Sequence, residues 1–169
     1  MSAHAQLRAL TAKDHEWVDG AFGRFDLSDR SGYIAFLTAH ARALPAVESA
    51  LAGKVDPPLR PRADLLRRDL AELGVTMPEP LPFALPDDAA SAFGAAYVIE
   101  GSRLGGGMLA RTVPDGLPLA YLSATHLPGE WRAFGQALDA AAQTGGPEWI
   151  DRCATTARRV FALYATAAR

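Results

Sequence analysis

Cysteine is nearly absent from this chain. Cys153 is the only one among 169 residues, so neither an internal disulfide nor a cluster of thiolate zinc ligands can form. A lone thiol suits a reducing compartment. The opening residues Met1 to Arg8 contain no apolar stretch of the kind that heads a secretory signal, so the expected location is the cytoplasm. Lysine is scarce as well (Lys13 and Lys54), and arginine supplies most of the positive charge. A formal net charge of −2 leaves no electrostatic footprint for nucleic acid. No apolar run reaches the ~18 residues that a membrane span requires. Alternating apolar and polar residues, the mark of a half-buried strand, are rare. Disorder is excluded too, because 49% of the residues are hydrophobic. The expectation is one all-α domain over residues 1–169, long enough to bury a real core.

The 3.6-residue periodicity divides into about six helices. A first helix is predicted from Ala3 to Phe22, with Leu7, Thr11, His15, Val18 and Phe22 on one face. Asp29 or Ser31 caps a second, whose stripe is Tyr33, Phe36, Leu37, His40, Leu44 and Val47 and which Pro45 is expected to kink or break. A third runs from Pro61 to Leu73 and stops at Gly74. Met77 to Pro86, with four prolines, reads as an extended loop. A fourth helix covers Asp88 to Arg111, and Pro114-Asp-Gly116 signals a turn in the loop that follows. The last two, Pro128 to Gln143 and Pro147 to Ala168, are expected to start with proline in the first turn.

The fourth helix carries the most telling segment, Tyr97-Val-Ile-Glu-Gly-Ser-Arg-Leu-Gly-Gly-Gly-Met-Leu-Ala110. Each mid-helix glycine costs about 1 kcal/mol relative to alanine. Gly101, Gly105, Gly106 and Gly107 together imply that something approaches the backbone more closely than a β-carbon allows. A phosphate loop is disfavoured, since Met108 and Leu109 stand where a lysine and a hydroxyl are needed. Another helix or a flat ligand remains.

Four histidines are candidates for chemistry. His4 lies in an end expected to fray, and His126 in a loop; His15 and His40 fall on apolar helix faces, where a histidine is either a core residue or a ligand. No two are spaced as in a zinc helix, and none has a carboxylate at i, i+3. A metal held by protein ligands alone is therefore disfavoured. A haem iron needs only one axial histidine, because the porphyrin supplies four ligands.

Leu7-Arg-Ala-Leu-Thr-Ala-Lys-Asp-His15 resembles the opening helix of the haem (heme) oxygenase family, and Tyr97-Val-Ile-Glu-Gly-Ser-Arg-Leu-Gly-Gly106 is similar to that family's distal helix. Arg67-Arg-Asp-Leu-Ala-Glu-Leu-Gly74 and the proline-rich loop after it resemble the bacterial members found beside bacteriophytochromes. The resemblance spans Leu7 to Phe161. It implies a helical bundle that sandwiches haem, with His15 as the axial ligand of the iron. Gly101, Gly105 and Gly106 would line the distal face, and Arg8, Tyr97 and Arg132 would meet the propionates. Phe161 would pack on the porphyrin edge, with core filling as the alternative. For Arg8 and Arg132 the alternative is an ordinary solvated side chain.

The implied reaction is oxidative cleavage of haem by O2 to biliverdin, carbon monoxide and ferrous iron. Its electrons would come from an external reductase or ferredoxin, and its product would suit a bilin-using phytochrome or serve iron release. One departure stands out. Where well-known members carry an aspartate after the first distal glycine, this chain has Ser102, which can hold a water but not the same charge. Ser102 with Gly101 and Gly105 would form the catalytic side. Arg103 is either an alternative polar anchor or a solvent-facing residue. The serine favours a second reading, a haem carrier or sensor without turnover. A third is a helical interaction protein that binds no cofactor. A thiamin-metabolising enzyme of related architecture is a more distant alternative, and Cys153 is a poor match to its thiol nucleophile.

Overall fold

Helical periodicity becomes seven α-helices in the computed structural model, which describes residues 1–169. They are α1 (Ala3–Leu10), α2 (Ala12–Phe22), α3 (Arg30–Leu51), α4 (Ala63–Glu72), α5 (Ala89–Leu109), α6 (Glu130–Thr144) and α7 (Trp149–Ala167). A 3-10 turn, Ala110–Thr112, continues α5, and there is no strand. The all-α expectation holds, with local corrections.

The predicted first helix is two. Thr11 leaves helical geometry (φ −113°, ψ 8°), and its hydroxyl donates to the Leu7 carbonyl at 2.7 Å. A buried threonine that bonds its own backbone competes with the helical ladder, and here it interrupts the axis. The start of the chain is also not frayed. Ser2 accepts from the Ala5 N–H as a cap, Ala3 N–H donates to Asp139 at 2.7 Å, and His4 packs edge-on against Tyr97 and Trp131.

Pro45 does not break α3. A proline removes one ladder bond and pushes nearby carbonyls outward. In the same turn the Arg42 carbonyl accepts from the Leu81 N–H at 2.7 Å, so the proline-rich loop is fastened to the helix beside the proline. Pro128 and Pro147 lie just outside their helices, ahead of the cap residues Gly129 and Glu148. Gly74, at φ +77°, ends α4 as expected, and Val75 N–H reaches back to the Leu70 carbonyl at 2.8 Å.

The core is one contiguous cluster of 34 buried residues. Its most extensive helix pair is α5 against α7, where Gly94 lies against Cys153 and Ala157. Small side chains let these axes come close. At Gly94 a β-carbon would lie 2.1 Å from the Cys153 carbonyl oxygen. The first half of α5 is therefore buried, while Leu104, Gly105, Met108 and Leu109 of its second half are exposed. No helix is long and apolar enough to cross a membrane.

Candidate functional site

The glycines of the second half of α5 fall into two sets. An added β-carbon at Gly106 would lie 3.2 Å from the Leu122 carbonyl, and one at Gly107 would lie 3.0 Å from the Thr125 methyl. These two pack against the loop between α5 and α6. At Gly101 and Gly105 an added β-carbon meets no atom within 4 Å. They share a helix face with Leu104 and Met108 at i, i+3, i+4 and i+7, and those two apolar side chains are 48% and 75% exposed. A stripe of this composition normally faces a core. Here it faces open space.

Two contacts orient that face. Tyr97, one turn before Gly101, lies beside Thr11 and Arg8 at the junction of α1 and α2, and burial raises its phenol pKa. Leu109, one turn after Gly105, lines a cleft of about 560 Å³ whose other wall is the end of α2 with Asp19 and Phe22, together with Phe25 and Phe36. The volume falls within the range of small-molecule sites. In sequence α2 joins these two contacts, from Thr11 near Tyr97 to Phe22 in the cleft, and His15 lies within it; neither His15 nor Gly101 nor Gly105 lines the cleft itself.

The predicted axial histidine is not a core residue. The His15 side chain is 62% exposed, and its Nδ1 lies 3.2 Å from an Asp19 carboxylate oxygen, one turn along the helix. A carboxylate at Nδ1 fixes the ring and leaves Nε2 free to ligate, the outer-shell arrangement common for metal-binding histidines. Phe161, buried on α7, supports the ring edge-on at 5.7 Å between centroids. Arg8 is exposed near Tyr97, so these two predicted residues come together. Arg132 is exposed on α6, which packs against α1 and α5, and it makes no ion pair.

His40, the other helix-face histidine, is packed among Phe22, Phe36, Tyr121 and Tyr164. Burial, with Arg62 nearby, pushes its pKa down to about 3, while burial raises that of Tyr121. The phenol therefore donates to Nδ1 of a neutral ring at 2.6 Å. The stability consequence has a definite sign. The unfolded chain takes up the proton near pH 6.5 and the folded chain resists it until about 3. Stability should fall with acidification below 6.5, by up to about 1.4 kcal/mol per pH unit. Between pH 6.5 and 5 most carboxylates stay ionised, so urea unfolding in that window should lose this slope in His40→Gln. An unchanged slope would assign it to other groups.

Ser102 is committed to its surroundings. Its hydroxyl donates to the Ile99 carbonyl at 2.7 Å and accepts from Arg62 Nη2 at 3.0 Å. Arg62 is buried, also donates to the Ile99 carbonyl at 2.7 Å, and lies over the Tyr121 ring. Arg103 does not face solvent. It is buried beside Glu100, whose other oxygen meets His126 Nε2 at 3.0 Å. Cys153 is buried with its thiol pKa pushed up by desolvation to about 12, which removes it as a nucleophile. No group of histidine, cysteine, aspartate or glutamate side chains is arranged to hold a metal ion.

Sequence reasoning missed Asp19, although its i, i+4 spacing from His15 was visible. It also missed Arg62, which sits in a proline-rich connection where no periodicity announces a partner. The exposed pair Leu104 and Met108 was hidden because apolar residues on a helix imply burial.

No protein-family model matches the chain. A curated haem oxygenase from Xanthomonas campestris pv. campestris (strain 8004) is 37% identical over 94 residues, 50% of this chain and 54% of that protein. The match thus spans about half the length of that relative. The haem oxygenase of Neisseria meningitidis, solved in NO- and CO-bound forms, is similar in structure at a TM-score of 0.83 and 28% identity. That similarity covers 100% of this chain and 91% of the Neisseria chain. Both comparisons support the haem oxygenase family, and the all-helical fold of this chain is the haem oxygenase fold.

Proposed function

We propose that this chain is a haem oxygenase that binds haem between α2 and the open face of α5 and opens the porphyrin to biliverdin, carbon monoxide and ferrous iron. The observation that carries this reading is the Gly101, Leu104, Gly105, Met108 face. It is apolar, an added β-carbon at either glycine would meet no neighbour, and Leu104 and Met108 stand 48% and 75% exposed. Helix packing accounts for Gly94, Gly106 and Gly107 but not for Gly101 and Gly105. The residues present fit a planar macrocycle, which is the substrate as well as the oxygen-binding group.

His15 would hold the haem iron through Nε2, with Asp19 against its Nδ1 and Phe161 packed edge-on against its ring. Gly101, Gly105 and Gly106 keep the facing helix close, while Leu104 and Met108 exclude water from the macrocycle's edge. Arg8 and Arg132 supply positive charge for propionates, and Tyr97 a hydroxyl. Ser102 offers an acceptor to a water but no proton of its own, because its hydrogen is held by Ile99. Bound iron supplies oxygen activation. Electrons come from a separate reductase or ferredoxin, since the one thiol is buried and inert. A cytoplasmic setting suits that thiol, and a bilin-using phytochrome is a consumer suited to the product.

A hemin titration, continued with ascorbate or a reductase in air, tests the proposal. A saturable one-to-one Soret band followed by a bilin spectrum supports it. The engagement of Ser102 favours one rival, a haem carrier, for which the Soret band would persist under reductant. No band would leave the helical interaction reading.

The open glycines also make a prediction about stability. Gly101→Ala and Gly105→Ala meet no neighbour and lie in ordinary helical backbone. Each is expected to stabilise the ligand-free chain by about 1 kcal/mol in urea unfolding. Bilin formation should fall, because the methyl group takes space on the haem-facing side. If both alanines destabilise the ligand-free chain, these glycines pack against protein and the carrying observation is lost.

A further inference from the structure

The second half of α5 has little to hold it straight. Four of the seven residues from Gly101 to Gly107 are glycine, and on the Gly101, Leu104, Gly105, Met108 face no neighbour stands where the glycines' β-carbons would lie. The opposite face is fastened. Arg103 Nη1 donates to the Ala124 carbonyl at 3.0 Å, and Nη2 donates to the Arg60 carbonyl at 2.7 Å and to Glu100 Oε1 at 3.2 Å. Glu100 Oε2 meets His126 Nε2 at 3.0 Å. Gly106 and Gly107 bring the backbone against Leu122 and Thr125 on the same side. Arg60 in turn donates to the Thr125 carbonyl at 3.0 Å and is paired through two nitrogens with Glu130. One buried guanidinium therefore joins the glycine helix, the α5–α6 loop and the connection between α3 and α4.

We infer that Arg103 is a positioning residue that sets the place of the open α5 face relative to α2, and so the geometry of the distal side. The inference rests on the haem reading for the meaning of that face, but its mechanical content does not. Arg103 does not touch the cleft. It acts through the backbone of Gly101 to Met108, which has too few side chains of its own to fix its course. Only a planar fork reaches acceptors from three segments at once, and a lysine ammonium does not reproduce it.

Hydrogen exchange on the ligand-free chain tests the mechanical part. In Arg103→Lys the amides of residues 104–109 and 122–125 are expected to exchange about tenfold faster or more, while those of α3 and α7 keep their wild-type protection. Glu100→Gln, which keeps the side-chain shape and removes the charge facing both Arg103 and His126, should give the same pattern at smaller amplitude. It also serves if Arg103→Lys does not fold. Unchanged exchange at 104–109, or a uniform rise in every helix, would overturn the inference.

The hemin-loaded variants test the link to the cleft. CO dissociation is expected to change several-fold while hemin affinity stays within about threefold of wild type, since the proximal side is intact. An unchanged CO rate alongside faster exchange at 104–109 would overturn that link. Absence of hemin binding by the wild-type chain would sink the haem reading instead and leave the exchange result standing.

Discussion

His15→Ala is expected to abolish the axially ligated ferric haem spectrum while leaving the fold intact. The two halves of that expectation come from the same geometry. The side chain is 62% exposed and its one close polar contact is with Asp19 on its own helix, so its removal should shift unfolding by no more than about 0.5 kcal/mol. On the proposed reading, the bond from Nε2 to iron would then be the one large interaction that disappears. Loss of an outer-shell partner costs a metal site about 10–100-fold in affinity. Asp19→Ala should fall in that range, and loss of the ligand itself should exceed it. Added imidazole should restore the spectrum by filling the space the ring has left. His40 cannot substitute, because its ring is packed among core aromatics and Tyr121 occupies its Nδ1. Hemin titrations followed in the Soret region check all three results, and a wild-type spectrum in His15→Ala would end the proximal assignment.

Gly94→Ala is expected to have the largest effect on stability. The added β-carbon would stand 2.1 Å from the Cys153 carbonyl oxygen and 3.0 Å from its carbon, atoms of another helix's backbone that cannot rotate aside. Accommodation requires α5 and α7 to part along the most extensive contact in the core. Overpacking of this kind costs about 1–3 kcal/mol where side chains yield, and more where they do not. A loss of at least about 3 kcal/mol is a large part of a stability of roughly 5–15. The midpoint of urea unfolding should drop accordingly, and Gly94→Val should not fold. The same substitution two turns later, at Gly101, carries the opposite predicted sign. Equal effects at the two positions would contradict the division of α5 into a packed half and an open half.

That division marks where the sequence stopped being legible. Periodicity revealed the helices because each buries one face, and it located α3, α4 and α5 closely. It did not reveal the interruption at Thr11, since a hydroxyl that turns back on Leu7 leaves the apolar spacing unchanged. It overstated Pro45, and the Leu81 N–H that bonds to the helix beside that proline comes from a loop with no period of its own. The same limit applies to the site. Gly94, Gly101, Gly105, Gly106 and Gly107 are the same residue in sequence, and only their neighbours divide them into those that pack and those whose β-carbon would meet nothing. His15 and Asp19 were readable as an i, i+4 pair within one helix. Arg62 was not, because its partners Ile99 and Ser102 lie 37 and 40 positions away, and of the Arg103 contacts only Glu100, three residues before it, is local.

The exposed Leu104 and Met108 make occupancy measurable without any chromophore. A molecule that covers this face in the folded chain and ignores the unfolded one must raise the melting temperature by mass action. The shift corresponds to about 2.7 kcal/mol at a free concentration one hundred times its dissociation constant. Thermal denaturation would then rank colourless planar compounds, metal-free porphyrins among them, by how completely they replace the missing neighbours of four residues on one helix.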